Sequence, residues 1–259
     1  MPLLPTTLAY PASEIPKLEA LRQLFQDWLH ASVEAAPEMK EQIEGMVFDG
    51  FYPHYFSRKT RILFIGREAR EIEGFNYLDL LHAAYRTGKR IGSQHLNCNL
   101  FHRRMLYMAY GLLNGLLEWK EIPDADQIGD SFATAEGVSF AFMNLSKFSN
   151  ESEFWPSNWR MIGDAVRLAT QTRNFIAEEV AILQPEIVIT MNLGDYFSSF
   201  GQEVTPLASA SRDVSSWTLM SNGHKALLLD CFHFSAPGKR DLDHYYLPIA
   251  EVVKLRFGG

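Results

Sequence analysis

The hydrophobic pattern of the chain alternates between short strand-like runs and longer stretches with helical spacing. The short runs lie near residues 62, 138, 186 and 225. Apolar runs bounded by polar residues are typical of buried strands, whereas apolar positions three and four apart indicate amphipathic helices. Because helical stretches separate the runs, the pattern predicts a mainly parallel sheet covered on both faces. The expected fold is α/β, a three-layer α/β/α sandwich around a four- to five-stranded central sheet.

Helical spacing occurs in five stretches. The first has Leu18, Leu21 and Phe25 on one face and is expected to start at Ser13, a residue type that caps helix N-termini. The others are predicted at residues 37–45, 94–119, 158–183 and 242–255. The aromatic, turn-rich residues 48–56 predict a loop that packs on the sheet rather than a regular element.

A tight turn is predicted at Asn222-Gly223, which separates two apolar runs at residues 217–220 and 225–229. Asn-Gly is the strongest short-range signal of a two-residue hairpin. A hairpin or tight turn is therefore expected to join two strands here.

The chain has 259 residues, of which 47% are apolar and 21% charged, as in an ordinary globular protein. It carries no internal repeat, low-complexity tract or linker, so we expect a single α/β domain over residues 1–259. Residues 1–55 are expected to form a helical N-terminal extension packed on the core. The first residues lack the basic and apolar regions of a signal peptide or membrane span, so we expect a cytoplasmic protein without a membrane partner. A monomer is the favoured oligomeric state.

The two cysteines, Cys98 and Cys231, lie far apart and outside any C-x-x-C pattern. This spacing argues against a zinc site or an iron–sulfur cluster, so neither a metal nor another cofactor is expected. Both are predicted to be free thiols.

The charge distribution is uneven. The formal net charge of −7 disfavours a protein that coats nucleic acid nonspecifically. Residues 58–104, however, contain ten Lys or Arg against four Asp or Glu, a local charge of +6 that leaves −13 on the rest of the chain. This segment could form a positive face for an anionic partner. The alternative is an ordinary solvated helix and loop surface.

Three strand-like runs are followed by polar residues that could share one pocket. They are Arg61–Arg70, Phe140–Lys147 and Leu227–Ser235. The carboxyl ends of parallel strands meet at one edge of a sheet, where open α/β folds place their ligands. Glu68, Asn144 and His233 are therefore expected to lie together.

Each of these residues also has a structural interpretation. The alternative for Glu68 is a surface carboxylate paired with Arg67 or Arg70, and the alternative for Asn144 is a turn residue whose side chain bonds its own backbone. A solitary histidine such as His233 is often structural.

Together the segments resemble the uracil-DNA glycosylase superfamily. Gly66-Arg-Glu-Ala69 stands in the place of its first motif, G-Q-D-P-Y or G-E-x-P-G, and Asn144-Leu-Ser-Lys147 resembles its N-x-x-K stretch. His233-Phe-Ser235 stands in the place of H-P-S. Leu183–Ile189 is similar to the K/R-P-x-x-I/V-V strand of that family. The motifs are short, but their order and spacing agree over residues 61–240.

The chain departs from the family pattern at three points. Ala69 and Phe234 stand where the family has prolines, and Arg67 and Arg70 are larger than the groups expected around a narrow uracil pocket. Two cysteines cannot supply the iron–sulfur cluster of one branch.

The resemblance implies a role for each matched residue. Glu68 would orient water or stabilise an oxocarbenium-like sugar, Asn144 would pair with the base edge, and His233 would stabilise the departing base anion. Phe75 or Tyr77 would stack on the base beside Gly66. The implied contacts to DNA are Arg67, Arg70, Lys147, Ser235, Lys239 and Arg240.

The function that these residues predict is hydrolysis of the N-glycosidic bond of a damaged or deaminated base in DNA, with the base flipped out of its stack. One alternative is a noncatalytic relative that binds a nucleobase, nucleotide or nucleic-acid end. Another is a hydrolase of a small nucleoside-like or ester substrate, although the absence of a G-x-S-x-G motif weakens the esterase version.

Overall fold

The computed structural model describes residues 6–153, 156–208 and 211–257. These residues form an α/β fold with helices packed on a central sheet, as predicted. The helices are α1 (Ile15–Ala35), α2 (Lys40–Glu44), α3 (Tyr77–Ala83), α4 (Leu100–Leu113), α5 (Ala125–Asp130), α6 (Trp159–Thr170), α7 (Phe175–Leu183) and α8 (Leu247–Phe257). The strands are β1 (Gly50–Phe51), β2 (Ile62–Arg70), β3 (Arg90–Ile91), β4 (Gln94–His95), β5 (Ala141–Asn150), β6 (Ile187–Met191), β7 (Glu203–Pro206), β8 (Val214–Ser221) and β9 (His224–Cys231).

The main sheet is larger than predicted and mixed. Its seven strands have the order β1-β5-β2-β6-β9-β8-β7, and β3 and β4 form a separate two-stranded ribbon. The four central strands β5, β2, β6 and β9 are parallel. β1, β8 and β7 are antiparallel to their neighbours. The prediction of a four- to five-stranded sheet failed because β1 has two residues and β7 is mostly exposed, so neither produces an apolar run.

The strand order locates a crevice. Numbered along the chain, the four parallel strands lie in the order second, first, third, fourth, because the chain passes from β2 to β5 on one side and then to β6 on the other. Connections diverge in opposite directions from the carboxyl ends of β2 and β6. In open α/β sheets such a switch point is where ligands bind.

Helices pack in two groups on the sheet. α1, α6 and α7 contact one another, and α4 contacts α5 and the turn that leads into α8. In the first group the indole of Trp28 stacks on the ring of Phe175, with centroids 5.6 Å apart. Leu21, Phe25 and Trp28 are buried, so the predicted apolar face of the first helix packs on the core.

Two predicted helices are shorter than their apolar patterns suggested. The stretch 158–183 is divided into α6 and α7, and the stretch 94–119 begins with β4 and is α-helical only over α4. Asparagine side chains explain the boundaries, because Asn158, Asn174 and Asn99 each accept a hydrogen bond from the first turn of the helix that follows. A cap competes with continuation of the preceding helix, which apolar periodicity does not register.

Ser13 is not the N-cap of α1, which begins at Ile15 without a side-chain cap. The neighbouring Glu14 is buried instead, and its carboxylate accepts hydrogen bonds from the backbone N–H groups of His54 and Phe56, both at 2.8 Å. Glu14 thereby holds the loop that leads from β1 to β2. The predicted loop 48–56 also contains β1 and is regular over those two residues.

The predicted hairpin is confirmed. β8 and β9 pair from Val214 opposite Cys231 to Ser221 opposite His224. Asn222 and Gly223 connect them with φ values of 48° and 76°. Positive φ at both central residues is the type I′ geometry that matches the twist of a two-residue hairpin.

Helices of the described ranges are all too short or too polar to cross a bilayer.

Candidate functional site

The candidate site lies at the carboxyl edge of β2 and β5, where both strands extend further than predicted. Gly66 does not begin a loop and Asn144 does not end a strand, because the two residues are paired inside the sheet. Pairing continues to Arg70 opposite Asn150, with an irregularity between Glu68 and Ala69. Such bulges change the direction of side chains beside functional sites. The polar residues therefore lie on the sheet itself.

Asn144 is 2% exposed and its side chain lies directly over Gly66. A Cβ atom at Gly66 would stand 2.7 Å from Asn144 Oδ1 and 3.0 Å from the ring of Phe142. The site thus requires glycine at residue 66. Asn144 Nδ2 is buried and finds no hydrogen-bond acceptor among the described residues.

Aromatic rings form a wall from Gly66 to His233. Tyr77 stacks on Phe142, with centroids 5.0 Å apart and planes inclined by 26°. Phe101 contacts Phe142 edge-on at 6.1 Å and lies 5.5 Å from the ring of His233. The structure therefore brings four of the predicted site residues, at positions 66, 77, 144 and 233, into one connected cluster.

Phe75, the other predicted stacking residue, is 53% exposed. Its backbone N–H and C=O hold the turn before α3, with the carbonyl accepting from the N–H of Phe48 at 3.3 Å. Tyr77 rather than Phe75 lies against the Gly66–Asn144 pair, because its ring contacts Phe142.

Glu68 is not a surface carboxylate, since its side chain is only 3% exposed. Its Oε1 atom accepts hydrogen bonds from Asn150 Nδ2 at 3.0 Å and from the backbone N–H of Asn158 at 3.2 Å. Arg70 lies 3.7 Å from the same oxygen. Within the described residues Oε2 has no hydrogen-bond donor. One carboxylate oxygen is thus fixed, and the other is buried without a donor.

His233 is held as a neutral imidazole. Its Nδ1 atom accepts from the backbone N–H of Ser235 at 3.3 Å and lies 2.7 Å from the Ser235 hydroxyl. Burial lowers the pKa of His233 to about 4, and the positive charges of Arg67 and Arg104 act in the same direction. Because Nδ1 is an acceptor, the ring proton resides on Nε2 and is available as a donor.

The side chain of Arg67 extends from β2 to the start of α6. Its guanidinium is 4.7 Å from the centre of the Trp159 ring, and Nη1 donates to Ser157 Oγ at 3.3 Å. Burial lowers the pKa of Arg67, while the charges of Glu68 and Asp230 oppose this shift. The charge of Arg67 therefore interacts with both carboxylates at this edge of the sheet.

Asp230 was missed by the sequence analysis. Its Oδ1 atom accepts from Thr190 Oγ1 at 2.7 Å and from the backbone N–H groups of Asn192 and Leu193 at 2.8 and 3.1 Å. Asp230 thus fixes the loop that follows β6. The available signal was a carboxylate interrupting the apolar run 227–231, close to the end of its strand.

Lys147 was predicted to contact DNA, but it is 1% exposed. Its ammonium group lies 2.6 Å from Asp49 and 2.8 Å from Glu179, which are both buried. Lys147 points into the protein in this arrangement and is out of reach of a phosphate. Burial raises the pKa of Glu179 well above its usual range, against the opposing charge of Lys147.

The remaining predicted DNA contacts lie around the site with different partners. Arg70 is beside Glu68, as described, and Ser235 is bonded to His233. The ammonium of Lys239 lies 3.6 Å from the centre of the Phe232 ring. Arg240 is exposed and forms an ion pair with Asp243 at 2.8 Å.

Arg104 is a second residue that sequence reasoning missed. It is fully buried in α4 and its guanidinium donates to the backbone carbonyls of Phe234 and Lys239. It also pairs with Asp241 at 2.7 Å. Arg104 therefore holds the loop that follows His233. The only signal was a charged pair, residues 103–104, within an apolar helical stretch.

The basic segment 58–104 does not gather at the site. Arg61 pairs with Glu186 at the opposite end of β2, and Lys89 pairs with Asp130 at 2.7 Å. Arg103 and Arg104 share Asp241. These four cations thus face three carboxylates, and Arg67 and Arg70 are residues of segment 58–104 that lie beside Glu68.

In the described part of the chain, no three or more His, Cys, Asp or Glu side chains are grouped as a metal site would require. The chain matches no protein-family model, no curated protein and no solved structure.

Proposed function

We propose that this edge of the sheet binds a nucleobase and that the chain hydrolyses the N-glycosidic bond of a damaged or deaminated base in DNA. The supporting observation is the buried Asn144 amide, whose Nδ2 donor has no partner among the described residues. Leaving a buried donor unpaired costs about 1–3 kcal/mol. A carbonyl on the edge of a base would satisfy it.

The surroundings of Asn144 suit a flat ring. Gly66 lets the Asn144 amide and the Phe142 ring lie against the backbone of β2, because a Cβ atom at this position would stand 2.7 Å from Asn144 Oδ1. Tyr77 and Phe142 offer aromatic surface next to it. An amide that reads the base edge, with aromatic groups along the ring, is how a flipped base is recognised.

The two ionisable groups would act on opposite fragments. As the C–N bond breaks, its electron pair moves to the base and positive charge develops on the sugar. The Nε2–H of neutral His233 would donate a hydrogen bond to the base anion. Glu68 Oε2 would stabilise the sugar cation and orient a water molecule. This water adds to the anomeric carbon and gives its proton to the Glu68 carboxylate.

Contacts to the DNA backbone would come from residues around this pocket. Arg67, Arg70, Ser235, Lys239 and Arg240 lie on the loops and strand ends near Glu68 and His233 and would contact phosphates. Lys147 is left out of this set because its charge is engaged in the interior.

A second candidate is binding or hydrolysis of a small nucleoside-like molecule. The dispersion of the basic segment and the net charge of −7 favour it, since nucleic-acid affinity depends strongly on phosphate neutralisation. A noncatalytic base-binding protein would use the same Asn144 pocket without cleavage.

Excision assays distinguish these functions. Single DNA strands carrying uracil, hypoxanthine or an alkylated base are incubated with the protein and probed for abasic sites. The corresponding free nucleosides are incubated in parallel and tested for release of the base. We expect abasic product from at least one strand, with a loss of at least about tenfold in Asn144→Ala and His233→Ala. Asn114→Ala, at an exposed helix end, is the matched control and should retain activity.

Product from free nucleosides alone would favour the second candidate. A folded protein that releases no base from any of these substrates would refute the glycosylase proposal.

A further inference from the structure

Trp159 is the first residue of α6 and is 44% exposed, although it is a large apolar side chain. Its ring is almost parallel to that of Tyr196, with centroids 6.3 Å apart and planes inclined by 5°. Tyr196 belongs to the turn Gly194–Ser199 that follows β6. Two aromatic side chains from separate connections thus share one orientation at the carboxyl edge.

Arg67 joins this pair from β2. Its guanidinium lies 4.7 Å from the centre of the Trp159 ring, which places a planar cation on the indole. The three side chains come from β2, from the helix after β5 and from the turn after β6. They therefore flank the crevice at the switch point between β2 and β6, next to Glu68, which accepts a hydrogen bond from Asn158.

Packing does not account for the exposed indole. At a centroid separation of 6.3 Å the Trp159 and Tyr196 rings do not overlap fully face to face, and nearly half of Trp159 remains open to solvent. Parallel aromatic planes next to a guanidinium form the kind of surface on which bases of single strands stack.

We propose that Arg67, Trp159 and Tyr196 form a stacking platform for an unpaired base of single-stranded DNA, adjacent to the base that enters the Asn144 pocket. This inference rests on the proposed function insofar as it takes DNA as the substrate. The platform would hold the strand by a flanking nucleotide and leave the Asn144 pocket to the target base. It reads the face of the flanking base rather than its edge, so it is indifferent to sequence.

The test is binding of a short, labelled oligothymidine strand that contains no uracil or damaged base, measured by fluorescence anisotropy at fixed ionic strength. Trp159→Ala should weaken binding roughly tenfold or more, the loss expected for one base–aromatic stack. Trp159→Phe keeps an aromatic face and should recover much of the affinity. Phe257→Ala removes a similarly exposed aromatic residue from α8 and should bind as the original chain does.

Three results would overturn the platform. They are a native chain that does not bind the strand, a Trp159→Ala variant with unchanged affinity, and an equal loss in Phe257→Ala. Because the strand contains no target base, the outcome is independent of excision. A Trp159-dependent affinity without any excision would refute only the glycosylase proposal, and excision with a Trp159-independent affinity would refute only the platform.

Discussion

At the residue scale, the site depends on the close fit between Gly66 and Asn144. The asparagine side chain occupies the space that any Cβ at residue 66 would need, and the ring of Phe142 closes the other side. The resemblance assigned these positions to separate motifs. In the structure they are cross-strand partners in one ladder.

Gly66→Ala tests this fit. The added methyl group would stand 2.7 Å from Asn144 Oδ1, so we expect unfolding in urea to cost about 1–3 kcal/mol less free energy, together with loss of any Asn144-dependent activity. Gly163→Ala is the control, because nothing lies within 4 Å of its Cβ position in α6 and helix propensity favours alanine. A Gly66→Ala protein that is as stable and active as the original chain would contradict the described geometry.

The individual site residues were predictable to different degrees. Gly66, Glu68, Asn144 and His233 could be selected because each is an unusual residue within or after an apolar run. Arg104 was not selected, since its role depends on carbonyl groups 130 or more residues away in the chain. Burial of Lys147 against Asp49 and Glu179 is equally nonlocal and has no signal in a single sequence.

At the element scale, the apolar runs identified the four parallel strands but not where they end. β2 and β5 continue through polar residues to Arg70 and Asn150, because they pair with each other beyond the apolar core. Strand ends that are stabilised by a partner strand do not need an apolar pattern of their own. The helix starts at Asn99 and Asn174 were missed because a cap depends on one polar side chain, which apolar periodicity does not register.

The loop after β9 is the element whose position depends most on one side chain. Arg104 is fully buried and contacts this loop at two carbonyls as well as Asp241. Arg104→Met should lower the free energy of unfolding by about 3 kcal/mol or more. The substitution removes the guanidinium and leaves the two carbonyls and Asp241 without their cationic partner. Guanidinium denaturation measures this change.

Arg240→Ala is the matched control for that measurement. The Arg240 side chain that pairs with Asp243 is exposed to solvent, so removing this ion pair should change the free energy of unfolding by about 1 kcal/mol or less. Equal losses in the two variants would show that Arg104 has no special part in holding the loop.

At the scale of the whole molecule, the fold class followed from the alternation of strand-like and helical segments, and the extent of the sheet did not. The strand order, which no single segment specifies, determines that β2 and β6 border the crevice. It also brings Asn144, Glu68, Arg67 and His233 to the same end of the sheet. Of their polar atoms, Asn144 Nδ2, Glu68 Oε2 and Arg67 Nε are buried without a hydrogen-bond partner in the described structure.

The most direct test of this account is the NMR signal of the Asn144 side-chain amide during titration with uracil and hypoxanthine. The signal is assigned by its loss in Asn144→Asp, and the exposed Asn114 amide serves as an internal reference. We predict a saturable shift of the Asn144 NH₂ signal with at least one base and no shift for Asn114. An Asn144 signal that is unmoved by either base at saturating concentration would contradict the proposed base-binding site.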